Sequence, residues 1–382
     1  MRHDRLRFCA GAAVLAMLLI FTLSTIGAKA ESQVKISAKA AIVYNGSTGE
    51  VLFEKNADER LPMASTTKIM SALIVLEQEG LDEKFTVDSG AVNTEGSSMG
   101  LREGDEVSLR DLACGMLLPS GNDAANAAAV RVAGSIDSFV GMMNARTVKM
   151  GLENTHFVTP SGLDDYTDDH YSTARDMAVL AAEAMKNQDL RDICGLQRVK
   201  LKFGDPPYER WLTNTNKLLK HQGITGIKTG FTDKARRCLV SSCMREGCEL
   251  ICVTLNDPDD WKDHMALFDY GFSQVEQVKL SPKKPDISLT TADGRQVRCS
   301  IPEMVITMTR DGASRTESRV YLPDFIYAPV NNGDKVGEIV YLLDGRELGR
   351  RDITAAENIS APKTSNGVFI VIFRKIRQFT GL

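Results

Sequence analysis

Histidine is scarce in this sequence: there are five in 382 residues, His3, His156, His170, His221 and His264, and none shows the spacing that brings metal ligands together. A zinc centre is not expected, and no motif for an organic cofactor takes its place. A basic surplus is missing too. Lysines and arginines number 46 against 50 acidic residues, for a net charge of −4. They are spread among the acids, with no basic helix or aromatic-basic stripe before the last few residues, so nucleic acid is not an expected partner. Cysteine occurs in a number that rules out a complete disulfide framework. Cys9 lies in the leader described below, which leaves seven: Cys114, Cys194, Cys238, Cys243, Cys248, Cys252 and Cys299. Four of these fall between Cys238 and Cys252, in a stretch that reads as a strand hairpin turning at Arg245-Glu246-Gly247. Cys238 and Cys243 then face opposite sides, so buried thiols are expected rather than a four-sulfur metal cage.

Long apolar runs are confined to the start of the chain. Arg2, Arg5 and Arg7 precede the run Ala12 to Leu23, and Ala28-Lys29-Ala30 supplies small residues around a cleavage point. Residues 1–30 therefore read as a secretory signal peptide, its apolar core being short for a bilayer span, and the rest of the chain is expected to be exported. Loss of this leader removes four basic residues and one acidic residue, which moves the net charge from −4 to −7. At 43% hydrophobic and 25% charged, the chain has globular composition and length enough for two domains.

Ala40 to Tyr44 and Val51 to Glu54 bracket the turn Asn45-Gly46-Ser47-Thr48-Gly49 and predict a β-hairpin. From Ser65 the period changes, and Ile69, Leu73, Ile74 and Leu76 predict a largely buried helix. Further helices are expected at Leu109 to Leu117, Asn122 to Ala133, Ile136 to Lys149 and Thr173 to Lys186, with a loop at Pro160-Ser161-Gly162. Strand character returns from Gly226 to Leu255, and Trp261 to Tyr270 reads as a closing helix. Strands at both ends of a helical middle predict one α+β domain over residues 31–275. Pro282 and Pro285 around a lysine pair suggest a linker. Beyond it Asp293-Gly294, Asp311-Gly312, Asn332-Gly333 and Asp344-Gly345 are hairpin-turn dipeptides, predicting a small β-sandwich-like all-β domain over residues 276–361. As a helix, the last segment (residues 362–382) would set Phe369, Ile372, Phe373, Ile376 and Phe379 opposite Arg374, Lys375, Arg377 and Gln378. Such an amphipathic basic tail suits the headgroup region of a membrane, the alternative being a final element packed on the β domain.

Ser65-Thr66-Thr67-Lys68 opens the buried helix. Three residues make nearly one turn, so the lysine amine and the serine oxygen share a face, beside the partial positive charge and free N–H groups of the helix start. Alone the spacing is weak, since it recurs at Ser32 to Lys35 and Ser281 to Lys284, and a serine here can simply cap the helix. Ser120-Gly121-Asn122, the one Ser-x-Asn of the chain, lies between two helical stretches, where a helix cap is the plain alternative. Lys228-Thr229-Gly230, the one Lys-Thr-Gly, lies in a strand that Phe231 and Thr232 continue.

Taken in this order, the three elements resemble the motifs of the penicillin-binding enzymes and serine β-lactamases. Their surroundings, Pro62 to Met70, Leu118 to Ala124, Asn154 to Phe157, Pro160 to Leu163, Asn214 to Leu219 and Gly226 to Thr232, are similar to the low-molecular-mass D-alanyl-D-alanine carboxypeptidases. The resemblance covers nearly the whole exported chain. It implies an α+β fold of the β-lactamase/D,D-peptidase type, an antiparallel sheet with helices and a helical subdomain, followed by a small all-β domain and an anchoring tail. It also implies a peptidoglycan stem peptide ending in D-Ala-D-Ala as substrate, β-lactam antibiotics as covalent inhibitors, no cofactor, and a place on the outer face of the cytoplasmic membrane.

Under that resemblance Ser65 is the nucleophile, Lys68 its base and Ser120 the proton relay to the leaving amine. Asn122 holds substrate and lysine, and Lys228 sets the potential. The backbone N–H groups of Ser65 and Phe231 form an oxyanion hole, Gly230 lines the strand, and Thr229 with Thr232 binds the terminal carboxylate. Chemistry supports the pairing, since serine needs a base and a lysine serves only when burial and a neighbouring cation keep it neutral. Two positions depart from the family pattern, Ala235-Arg236 and Asp259-Asp260-Trp261-Lys262, which makes Arg236, Arg237 and Lys262 candidates for the carboxylate-binding cation. A β-lactamase and a non-catalytic wall-binding protein are the competing readings.

Overall fold

The structure is a computed structural model that describes residues 34–164, 167–282 and 287–362; the expected signal peptide and tail lie outside these residues. Among the described residues no helix is long and apolar enough to cross a membrane. The first hairpin forms as expected, β1 (Ala40–Asn45) with β2 (Val51–Lys55). After the helical middle come β3 (Ile224–Thr232), β4 (Arg236–Arg245) and β5 (Cys248–Leu255). They assemble as one antiparallel sheet in the order β2-β1-β5-β4-β3. All six residues of β1 and the run Leu250 to Leu255 are buried, which requires cover on both faces. Helices Ala174–Ala184 and Asp260–Ser273 pack against this sheet.

A 3-10 turn, Ala64–Thr67, leads into helix α1 (Lys68–Leu76), whose nine residues are all buried. Around it pack α2 (Leu109–Leu117), α3 (Asn122–Ala133) and α4 (Ile136–Met150). Close approach is possible because α3 presents Ala124, Ala125, Ala127, Ala128 and Ala129 to the interior. Strand β3 is the edge of the sheet and meets the 3-10 turn. Among the elements not expected are a helix at Gln188–Cys194 and a hairpin of Arg198–Phe203 with Tyr208–Thr213.

Two small sheets follow. Glu276–Leu280 pairs with Met304–Met308, and a five-stranded sheet joins Ser288–Thr290, Gln296–Ser300, Arg346–Ala355, Lys335–Leu343 and Thr316–Tyr321. Leu280, Val297, Met308, Ile339 and Ile353 form the core between them. Asp344 (φ 49°) and Gly345 (φ 85°) make the expected tight turn. Asp311-Gly312 does not: it lies in a short helix, Arg310–Arg315, whose cap Thr309 accepts from the Gly312 N–H. This part rests on the β1–β2 turn. Asn45 Nδ2 donates to Thr307 O (3.0 Å), Arg346 to the Tyr44 hydroxyl (2.5 Å), and Thr309 Oγ1 to Glu50 (2.5 Å).

The seven cysteines are unpaired, six of them buried and Cys299 half-buried. Burial pushes the Cys114, Cys194 and Cys238 thiols up to about 12, so they are packing groups rather than nucleophiles.

Candidate active site

The three motif segments converge where the start of α1, the loop before α3 and the edge strand β3 meet. Lys68 is fully buried, and its Nζ lies 3.0 Å from Ser65 Oγ, 2.7 Å from Asn122 Oδ1 and 2.7 Å from Ser161 O. Loss of water holds its pKa far below that of a free lysine; the charge of Lys228 lowers it further and Asp123 opposes. Lys228, 1% exposed, donates to Thr229 O (2.8 Å), and burial brings its pKa down to about 7.

Backbone geometry around these groups is unusual. Ala64 (φ 48°) and Ser120 (φ 69°) occupy the left-handed region that side chains other than glycine rarely adopt. Such strain, about 1–3 kcal/mol each, persists only where neighbours over-determine it. Here they do. A Cβ on Gly162 would stand 2.0 Å from Ala64 O, and one on Gly230 would stand 3.2 Å from Ser65 N. Both glycines let the 160–163 loop and β3 press against the turn carrying Ser65. His170 holds the same turn from below. Val158 N–H donates to its Nδ1 (2.9 Å), which leaves the proton on Nε2 to be donated to Thr67 Oγ1 (2.7 Å). Burial lowers His170 to about 3, so the ring is neutral.

Sequence reasoning missed Asp123 and Thr215. The Asp123 carboxylate, 1% exposed, accepts from Met99 N–H (2.9 Å), Gly100 N–H (3.0 Å), Leu101 N–H (2.9 Å), Ala124 N–H (2.9 Å) and the Ser98 hydroxyl (2.5 Å). It fixes the segment whose Glu95 O accepts from Asn122 Nδ2 at 2.7 Å, and so aims the Asn122 oxygen at Lys68. The signal was the aspartate directly after Ser-Gly-Asn. Thr215 Oγ1 lies 2.6 Å from Thr229 Oγ1 at the mouth of the cleft; its segment, Asn214 to Leu219, carries part of the family resemblance, but no role follows from it until the fold sets it against β3. Ser120 is buried with its hydroxyl unbonded among the described residues, while Phe231 is 58% exposed on the edge strand. Thr232 is engaged locally: its oxygen accepts from Ala235 N–H (2.9 Å) and its hydroxyl lies 3.3 Å from Asp164 Oδ2.

Among the candidate cations, Arg237 is committed to Asp260 (2.5 Å) and stacks over Trp261 at 5.2 Å. Arg236 is exposed and stands opposite Thr232 in the β3–β4 ladder. Lys262 is exposed in the first turn of the helix Asp260–Ser273. Among the described residues no group of three or more histidine, cysteine or acidic side chains could hold a metal ion.

A sheet flanked by helices, with a serine, a neutral-prone lysine and an edge strand around one cleft, defines the class of α+β serine peptidases. Comparison with known proteins narrows this. Residues 27–259 match the family described as D-alanyl-D-alanine carboxypeptidase, and residues 274–361 match the penicillin-binding protein 5 C-terminal domain. The chain is 31% identical over 360 residues to D-alanyl-D-alanine carboxypeptidase DacF of Bacillus subtilis, covering 90% of this chain and 92% of that protein. It is 32% identical to DacC of Escherichia coli, covering 97% and 96%. The crystal structure of the Streptomyces K15 DD-transpeptidase superposes with a TM-score of 0.60 at 34% identity, over 63% of this chain and 98% of that one. Penicillin-binding protein 5 of Haemophilus influenzae gives 0.62 at 28% identity, over 85% and 98%. The chain belongs to the D-alanyl-D-alanine carboxypeptidase family of serine peptidases, and it is an enzyme.

Proposed function

We propose that the enzyme removes the terminal D-alanine from peptidoglycan stem peptides through an acyl-enzyme on Ser65, and that penicillins acylate the same oxygen. The observation that carries this reading is the surroundings of Lys68 Nζ. A neutral amine has two N–H groups and one lone pair. Two carbonyl oxygens, Asn122 Oδ1 and Ser161 O, stand at 2.7 Å and take the two hydrogens, which leaves the lone pair for the Ser65 O–H at 3.0 Å. Lys68 then accepts the Ser65 proton as the oxygen attacks the carbonyl carbon of the penultimate D-alanine.

Negative charge on the carbonyl oxygen is met by the N–H groups of Ser65 and Phe231. Each such donor contributes about 2.7–4 kcal/mol to the transition state. Ser120 relays the proton from the Lys68 ammonium to the departing amine nitrogen, Lys228 holds the local potential positive, and D-alanine leaves as the C–N bond breaks. Water hydrolyses the ester and restores Ser65. The exposed edge of β3 lets the substrate lie along Gly230 and Phe231 as an added strand. Thr229 binds the terminal carboxylate with Arg236 as the nearby cation, and Thr232 supports the strand end on which both depend.

The domain reading goes with this function: residues 31–275 as the peptidase domain, 276–361 as a β-domain spacer, and 362–382 as an anchor on the outer face of the cytoplasmic membrane after removal of residues 1–30. Labelling with fluorescent penicillin and mapping of the modified peptide tests nucleophile and ligand class together. The adduct should sit on Ser65 and last for hours; release within milliseconds would make the protein a β-lactamase. Absence of D-alanine release from a D-Ala-D-Ala peptide would leave only a wall-binding role.

A further inference from the structure

Beside the cleft, the unexpected hairpin of Arg198–Phe203 and Tyr208–Thr213 carries a second surface. Pleating turns Phe203 and Leu212 inward, with Val199 and Leu201 packed against the core, and leaves Arg198, Lys200, Lys202 and Trp211 on the outer face. Lys200 stands directly across the ladder from Trp211, which is 58% exposed. The Arg198 guanidinium lies 4.7 Å from the indole centre and the Lys200 ammonium 5.8 Å. An exposed cation–π contact contributes about 0.5–1 kcal/mol, less than the ~1.5–3 kcal/mol gained by burying a large apolar side chain. Keeping this indole in water is therefore not explained by folding.

The face runs into the cleft. Thr215 lies four positions after Trp211, at most about 14 Å of extended chain, and Thr215 Oγ1 touches Thr229 Oγ1 at 2.6 Å. Lys217 and Lys220 add exposed cations on the next turn. Glu209 offsets Lys200 through an ion pair at 2.6 Å, yet the rim stays cationic on a chain whose net charge is −4. The linear sequence shows no aromatic-basic stripe at this place because the stripe is assembled across two strands.

We propose that this rim docks the carboxylate-bearing glycan–peptide polymer whose ends the cleft processes, with Trp211 stacking on a sugar or peptide plane and the cations meeting carboxylates. The proposal rests on the carboxypeptidase reading above. Its test uses the full chain and two substrates, a short N-acetylated peptide ending in D-Ala-D-Ala and purified peptidoglycan. Trp211→Ala and the double variant Arg198→Gln/Lys200→Gln should keep kcat/KM on the short peptide within about twofold. Sedimentation with peptidoglycan should weaken about tenfold, as expected for loss of one stacked ring or two charge contacts. Peptidoglycan with amidated carboxyl groups should bind the unsubstituted protein less well. Unchanged sedimentation of both variants, or equal losses on both substrates, overturns the proposal. Failure of the unsubstituted protein to cleave the short peptide would instead sink the carboxypeptidase reading, with sedimentation still reporting on the rim.

Discussion

The cleft and the C-terminal sheets bury different things. Around Ser65 lie two lysines, an aspartate and a histidine, each at 1% exposure or less. In the C-terminal core the buried set is largely apolar, and charge is kept to surface pairs such as Arg310 with Glu276 and Arg315 with Asp311. Taking a charge out of water is expensive unless its partners are in place. The cleft accepts that cost by tying Lys68, Asp123 and His170 to two or more partners each and Lys228 to Thr229 O, while the β part gains stability chiefly from apolar area. Substitutions in the first region should therefore change reactivity with little change in stability, and in the second the reverse.

The largest expected effect is Ser65→Ala, which should lower D-alanine release by about ten-thousandfold or more and abolish the penicillin adduct, with the urea midpoint unchanged. Lys68→Met should slow acylation by about 10²–10⁴-fold, read by the rate of penicillin labelling. Its stability should change little, because relief from burying the amine is offset by leaving Asn122 Oδ1 and Ser161 O without their donor; a loss as large as that of a core cavity would break the comparison. Ile339→Ala, in the β core with no exposure, should destabilise by about 2–5 kcal/mol in denaturant unfolding and leave kcat/KM on a short peptide intact.

Lys228→Met sharpens the electrostatic side. Lys228 depresses the Lys68 pKa, so its removal should raise that pKa and move the acid limb of the kcat/KM profile to higher pH. Stability gives a second readout. With a folded pKa of about 7 and an unfolded value of about 10.4, the unfolded chain holds the extra proton between these limits. Stability should thus rise with pH across that window, Lys228 contributing up to about 1.4 kcal/mol per unit, and the variant should lose that share of the slope while the share of Lys68 remains. The smallest effect belongs to Arg236→Ala: a rise in KM of about tenfold for carboxylate-bearing substrate, against none for Lys262→Ala. Equal behaviour of the two would remove Arg236 from the site.

Much of the fold was legible. The β1–β2 hairpin follows from a turn sequence between apolar alternations, and the helix carrying Lys68 from a buried run. The helix expected over Leu109 to Leu117 occurs with those limits, its start closed by Ser108 and Asp111 in a capping box. The Arg198–Thr213 hairpin was not legible, because its outward face is charged and its inward face is apolar only against a core supplied by other segments. Asp311-Gly312 misled for a related reason, since Thr309 caps a helix there and overrides the turn preference of the pair.

Ser65, Lys68, Ser120, Asn122 and Lys228 to Thr232 could be singled out from the sequence because each motif is short and set on one local element. Local spacing also placed the Lys68 amine near the Ser65 oxygen. Tertiary structure alone decided what that amine can do: two carbonyl oxygens from residues 54 and 93 positions away, and a second lysine brought in by an edge strand. It also decided the strained turns at Ala64 and Ser120, the five-donor seat of Asp123 and the cationic rim at Trp211. These features depend on desolvation and on contacts between distant segments, and neither exists until the chain has folded.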